Sequence, residues 1–100
     1  MKIDIADGFE YIPEYNGNRD LPEKEQIKIH FTYLSVADYT ELLRSGKIDK
    51  KEEWLKICEK VDNLEVNEKK YTAEDLYKKK GLALLYGECY EAFKAKKEIE

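Results

Sequence analysis

Histidine, cysteine, proline and glycine are all scarce in this chain. In 100 residues there are one histidine, two cysteines, two prolines and five glycines. The single His30 falls in the middle of a strand-like run, and no Ser/His/Asp set can be built around it. Cys58 and Cys89 lie far apart, without the paired spacing of a metal site. The glycines are not gathered into a phosphate-cradling loop. No apolar run approaches the ~20 residues that cross a bilayer. The opening Met1-Lys2-Ile3-Asp4-Ile5 lacks the apolar stretch of a signal peptide. The reading that follows is of a non-enzyme with no catalytic, cofactor-binding or metal-ligating residues, and no membrane partner.

What the chain does contain is enough to fold. Hydrophobic residues make up 42% and charged residues 40%, the balance of one small domain spanning residues 1–100. Lys and Arg number 18 against 22 Asp and Glu, so the net charge is 18 − 22 = −4. That sign argues against nucleic acid or an anionic membrane surface as partner. Eight of the twelve aromatic residues are tyrosine. A tyrosine buries a ring and keeps a polar tip, which suits both core edges and protein interfaces. Cys58 and Cys89 read as reduced, buried thiols of a cytoplasmic protein, with a Cys58–Cys89 disulfide as the alternative.

The first third, residues 1–34, reads mainly as strands. Residues 2–5 alternate, with Ile3 and Ile5 on one face, and Asp7-Gly8 predicts a two-residue hairpin turn into a return strand over 9–12. Pro13 ends that strand, and 16–22 is a loop rich in Asn, Gly, Asp and Pro. Ile27, Ile29, Phe31 and Tyr33 alternate with Lys28, His30 and Thr32, so the former face the core. Residues 35–97 read mainly as helices. Ser35 with Asp38, and Thr72 with Asp75, have the form of capped helix starts, and Asp49 is a further cap. The predicted helices cover Val36, Tyr39, Leu42 and Leu43 up to a stop at Gly46; residues 50–62 with Trp54, Ile57, Cys58 and Val61 inward; 73–79; and 82–97 with Leu82, Leu85, Cys89 and Phe93 inward. Residues 64–71 suggest a small hairpin or turn, and the tail 94–100 is expected to fray. The expected fold class is α+β: a small antiparallel sheet of about three N-terminal strands packed against three to four helices. Its predicted core is Ile3, Ile5, Phe9, Ile12, Ile27, Ile29, Phe31, Leu42, Trp54, Ile57, Val61, Leu82, Leu85 and Phe93.

Individual candidates reduce to structural roles. His30 sits on the polar side of its strand, away from any nucleophile. The cysteines fall on apolar helix stripes, without the basic or helix-N-terminal setting that makes a thiolate. Glu10, Glu14, Asp20, Glu23 and Glu25 gather near the first loop, but Asn16-Gly17-Asn18-Arg19-Asp20 lacks the downstream bidentate glutamate of a calcium loop. Lys78-Lys79-Lys80 closes a helix, where cations suit the dipole. Tyr11, Tyr15, Tyr33, Tyr39, Tyr86 and Tyr90 either border the core or form a patch for a partner. Tyr86 and Tyr90, one turn apart beside the apolar stripe of the last helix, are the leading partner-facing pair, with Tyr39 as a third candidate.

Several segments carry a likeness. Asp7-Gly8-Phe9-Glu10-Tyr11-Ile12-Pro13, Asn18-Arg19-Asp20-Leu21-Pro22 and the strand after Glu25-Gln26 open the pattern. Val61-Asp62-Asn63-Leu64, Val66-Asn67-Glu68-Lys69, Tyr71-Thr72-Ala73-Glu74-Asp75-Leu76 and a final amphipathic helix continue it. Together these resemble small tail-module proteins of tailed bacteriophages and prophages, the tail assembly chaperones among them. One departure is Glu68, which stands where that pattern has a turn glycine and speaks against a tight hairpin. The resemblance implies a non-enzymatic protein of the infected host's cytoplasm that binds the tape-measure protein and helps tail-tube subunits polymerise, with no catalytic residues and no cofactor. A homo-oligomer is compatible with it. The alternatives are a structural tail or connector component, or a small inhibitor directed at a host enzyme.

Overall fold

A computed structural model describes residues 1–44 and 46–99, with side chains through residue 96. Three strands form an antiparallel sheet in the order β1 (Gly8–Tyr11), β2 (Lys28–Thr32), β3 (Cys58–Asp62). The helices α1 (Val36–Leu42), α2 (Lys50–Ile57), α3 (Ala73–Lys78) and α4 (Ala83–Ile99) accompany it. A hairpin of β4 (Glu65–Val66) and β5 (Lys69–Lys70) stands between β3 and α3. The fold class is the α+β arrangement expected from the alternation in β2 and the capped helix starts.

Pairing follows the side-chain period. Phe9 lies opposite Phe31 and Tyr11 opposite Ile29, while Phe31 faces Cys58 and Ile29 faces Val61. These residues share the face of the sheet that meets the helices. Ile29, Phe31, Trp54, Ile57, Cys58, Leu64, Leu76, Leu82, Leu85, Cys89 and Phe93 form one buried cluster. Phe31 meets Trp54 edge-on at 5.8 Å and Phe93 at 5.3 Å, so the sheet, α2 and α4 join through aromatic rings. Glu10, His30 and Lys60, opposite one another, occupy the other, polar face.

Several expectations are corrected. Residues 1–6 form no strand, and Ile3 and Ile5 are 67% and 77% exposed, outside the core. The period-two pattern is present, but among the described residues no strand lies beside it to complete a ladder. The helix expected over 50–62 stops at Ile57, and the next residue begins β3. Trp54, Ile57, Cys58 and Val61 satisfy helical spacing, yet the free edge of β2 needs a partner and takes 58–62. Register shifts at His30/Phe31, with Glu59 between the residues paired to them, so Glu59 and Lys60 both reach solvent around a bulge.

The caps are as read from sequence. Ser35 and Thr72 each make reciprocal capping boxes with Asp38 and Asp75, and the Asp49 carboxylate accepts from the Glu52 N–H at 3.0 Å. The turn at 67–68 is tight after all. Asn67 and Glu68 both take positive φ, 52° and 68°, as a two-residue hairpin turn requires, so Glu68 adopts a conformation that glycine would occupy without strain. Leu42 is buried on α1, but Val36 and Leu43 are largely exposed. Helix α4 continues to Ile99 where fraying was expected from residue 94; Glu100 lies outside the described residues.

Candidate interaction surface

Tyr86 and Tyr90 lie four residues apart on α4, which places their rings on one side of the helix. The rings stack, 11° from parallel with centroids 5.9 Å apart. Tyr77, brought up by the short helix α3, meets Tyr86 edge-on at 5.3 Å. Trp54 of α2 also meets Tyr86 edge-on, at 4.9 Å. Trp54 is itself fixed, since its indole N–H donates to the Ala73 carbonyl at 2.8 Å, the first residue of α3. Three helices thus converge on one half-buried aromatic group, and the caps at Asp49 and Thr72 set where two of them begin.

Charged groups frame these rings. Tyr90 donates its hydroxyl proton to Glu53 Oε1 at 2.8 Å and accepts from Lys50 Nζ at 3.0 Å. Lys50 and Lys94 also approach the Tyr90 ring, at 4.9 and 5.6 Å from its centre. Glu53 is only 8% exposed, so its carboxylate relies on these donors. The hydrogen bond to Tyr90 holds the Lys50 ammonium above its usual range, and burial pushes the Tyr86 hydroxyl up to about 12. The Tyr86 phenol is neutral at physiological pH. The patch offers flat aromatic surface, two ammonium groups and fixed geometry. Tyr39, the third candidate, stands half-buried on α1, whereas the other two share α4. Reading the sequence alone passed over Tyr77, Lys50 and Glu53 and assigned Trp54 only to the core. Tyr77 beside the buried Leu76 was the available signal; the pairing across helices had none.

The remaining candidates are engaged elsewhere. Tyr11 donates to Glu88 Oε2 at 2.7 Å, and the Glu14 N–H reaches the same oxygen at 2.6 Å, tying α4 to the segment after β1. Burial, then this hydrogen bond, raise the Tyr11 hydroxyl to about 12. His30 Nε2 lies 2.7 Å from Asp62 Oδ2, and Nδ1 lies 3.7 Å from Glu10, so the imidazole sits between two carboxylates on the polar face of the sheet. Cys58 and Cys89 are free and buried, not disulfide-linked; burial pushes Cys58 up to about 12 and raises Cys89 as well. Glu14 pairs with Arg19 at 2.7 Å and Glu23 with Lys28 at 3.5 Å. Lys78 pairs with Glu74 at 3.3 Å at the end of α3. Among the described residues no group of three or more His, Cys, Asp and Glu side chains is placed to hold a metal ion, and no helix is long and apolar enough to cross a membrane.

Two open grooves flank this framework, each of about 580 Å³. One runs between α1 and α2 and is lined by Leu42 and Leu55 with Glu41, Arg44, Glu52 and Lys56. The other runs from Leu21 and Ile27 to Leu64, Val66 and Leu82. Comparison of the chain with protein-family models, curated proteins and solved structures finds no significant match.

Proposed function

We propose that this protein works by binding another protein through the surface around Tyr77, Tyr86 and Tyr90, without catalysing a reaction. The observation that carries the reading is the Tyr86–Tyr90 stack, locked by Trp54, Lys50 and Glu53. Rings already fixed in place lose little entropy when a partner covers them, and aromatic anchors dominate the energetics of protein interfaces. The exposed charges around them keep the free domain in solution. Neutral, buried thiols and a histidine held by two carboxylates point in the same direction.

The more specific form of this reading is a tail assembly chaperone of a tailed phage, acting in the host cytoplasm on a tape-measure or tail-tube protein. Its support is the order of sequence motifs, together with a surface suited to an amphipathic helix laid across aromatic rings. The test uses the purified chain, immobilised, and the tail proteins encoded beside it. Retention of a helical tape-measure segment by the native chain, and its loss in Tyr90→Ala with an unchanged melting curve, is the expected result. Failure to retain any tail protein overturns the phage reading. Undiminished retention by Tyr90→Ala overturns the surface. Presence of the chain in finished particles would mark a structural component instead.

A further inference from the structure

The β4–β5 hairpin and the end of α3 bring lysines together. Lys69 lies opposite Val66 in the hairpin ladder, and the Tyr71 N–H donates to the Leu64 carbonyl at 2.8 Å, so the chain leading from β5 into α3 is held in place. Thr72 then opens α3 through its capping box with Asp75. Lys78 and Lys79 follow Asp75 by three and four residues, which sets all three on one side of the chain there. Lys69, Tyr71, Asp75, Lys78 and Lys79 line a single cleft of about 210 Å³. Lys69 and Lys79 stand on different elements, so their meeting belongs to the fold and is invisible in any short stretch of sequence.

The cleft is lined by three ammonium groups and one carboxylate. That carboxylate is already engaged, since Asp75 Oδ2 accepts from the Thr72 N–H at 3.0 Å and from the Thr72 hydroxyl at 3.1 Å. The Thr72 backbone N–H, and after it the fields of Lys69 and Lys78, hold the Asp75 carboxyl below its ordinary range. Glu74, beside the cleft, is shared between Lys78 and Lys51, 3.3 Å from each. Lys28, Lys50, Lys56, Lys60 and Lys94 all have a carboxylate partner. Lys69 and Lys79 are exposed and form no ion pair with any described residue. Positive charge is thus concentrated here, in a chain whose net charge is −4.

We propose that this cleft binds a phosphate group carried by a small molecule, with Lys69, Lys78 and Lys79 as its cationic ligands. A phosphate monoester offers three strong acceptor oxygens and close to two negative charges at neutral pH, which suits three ammonium groups around one small site. A carboxylate brings one charge and two oxygens and leaves a cation unmatched. Lysine fits the role as a compact charge on a flexible stem, able to turn its donors inward. The cleft is smaller than the roughly 300–1,000 Å³ that encloses a drug-sized ligand, so it takes the phosphate and leaves the rest of the molecule outside. Tyr71, half-buried, is the ring among the lining residues and offers a face for a base. Inorganic phosphate and a nucleoside phosphate are therefore the two sources of the group. The site is separate from the aromatic surface on α4, and a result at either leaves the other standing.

Titration of the full chain with sodium phosphate and with adenosine monophosphate, followed by amide shifts in NMR at constant ionic strength, tests this. Phosphate should give saturable shifts centred on residues 69–71 and 78–79, with a Kd of about 1 mM. Lys69→Ala with Lys79→Ala should weaken binding at least about tenfold while the rest of the amide spectrum holds, because neither side chain is in an ion pair. Lys2→Ala with Lys96→Ala removes the same charge elsewhere and should leave the affinity unchanged. Tighter binding of the nucleotide, with shifts of the Tyr71 ring, assigns a nucleoside phosphate; equal or weaker binding assigns phosphate itself. Absence of saturable shifts at these residues with either ligand up to about 20 mM overturns the site. So does acetate that saturates the same amides as tightly as phosphate, or full phosphate affinity in the chain lacking both Lys69 and Lys79.

Discussion

The side-chain amide of Asn18 brackets the backbone of Ile27. Its Oδ1 accepts from the Ile27 N–H at 2.6 Å, and its Nδ2 donates to the Ile27 carbonyl at 3.1 Å and to the Pro13 carbonyl at 2.8 Å. One buried amide thus does for residues 13–27 what a strand neighbour would do. Gln26 and Asn63 continue the pattern, each donating to two carbonyls of the same region. Asn18→Ala strips three bonds from buried backbone groups and should cost roughly 2–4 kcal/mol. Asn18→Asp should be no better, because a carboxylate oxygen then faces two carbonyls. Urea denaturation of both variants checks this.

At the β4–β5 turn, Glu68 holds φ at 68°. Glycine removes the clash of a Cβ in that region, so Glu68→Gly should raise stability by about 1 kcal/mol. Gly8 shows the reverse. A Cβ there would overlap the Phe31 carbonyl, and the obstacle is backbone that cannot swing away. Gly8→Ala should cost at least ~2 kcal/mol. Thermal melts of the two variants should move in opposite directions.

Four carboxyls titrate below their ordinary range in the fold. The Ser35 and Thr72 backbone N–H groups hold Asp38 and Asp75 down, His30 holds Asp62 down, and Lys78 with Lys51 hold Glu74 down. The unfolded chain, with ordinary values, takes up protons first as acid is added. The stability from these groups is therefore complete above the usual carboxylate range and is lost as pH falls through the depressed folded values. Asp38→Asn with Asp75→Asn should flatten the acid limb of a stability–pH curve and leave its neutral shape unchanged.

The two thiols should be silent. Burial keeps Cys58 and Cys89 protonated, so Ellman's reagent at pH 8 should modify neither in the folded chain and both in urea. Rapid labelling of either cysteine under native conditions would show that β3 or α4 opens locally.

Legibility in the sequence follows from how local each cause is. Strand β2 and the caps at Ser35, Asp49 and Thr72 are written within a few residues, and all stand in the structure. The boundary at Ile57/Cys58 is not local. Residues 58–62 fit either period, and the unpaired side of β2 decides between them. Residues 2–5 alternate as a strand does, but alternation describes a face and supplies no neighbour. Leu64 and Leu76 are buried although neither stands in a long periodic run. The proximity of Tyr86 to Tyr90 was legible from their spacing on one helix. Their contacts with Trp54, Tyr77, Lys50 and Glu53 depend on how α2, α3 and α4 pack, which no window of sequence contains.

Hydrogen exchange read by mass spectrometry, on the free chain and on the chain saturated with a helical tape-measure segment, addresses the mode of action most directly. Protection concentrated on α4 around Tyr86 and Tyr90, and on the start of α2 around Lys50 and Glu53, is the predicted footprint. Exchange unchanged across that surface while the segment is bound would contradict the account.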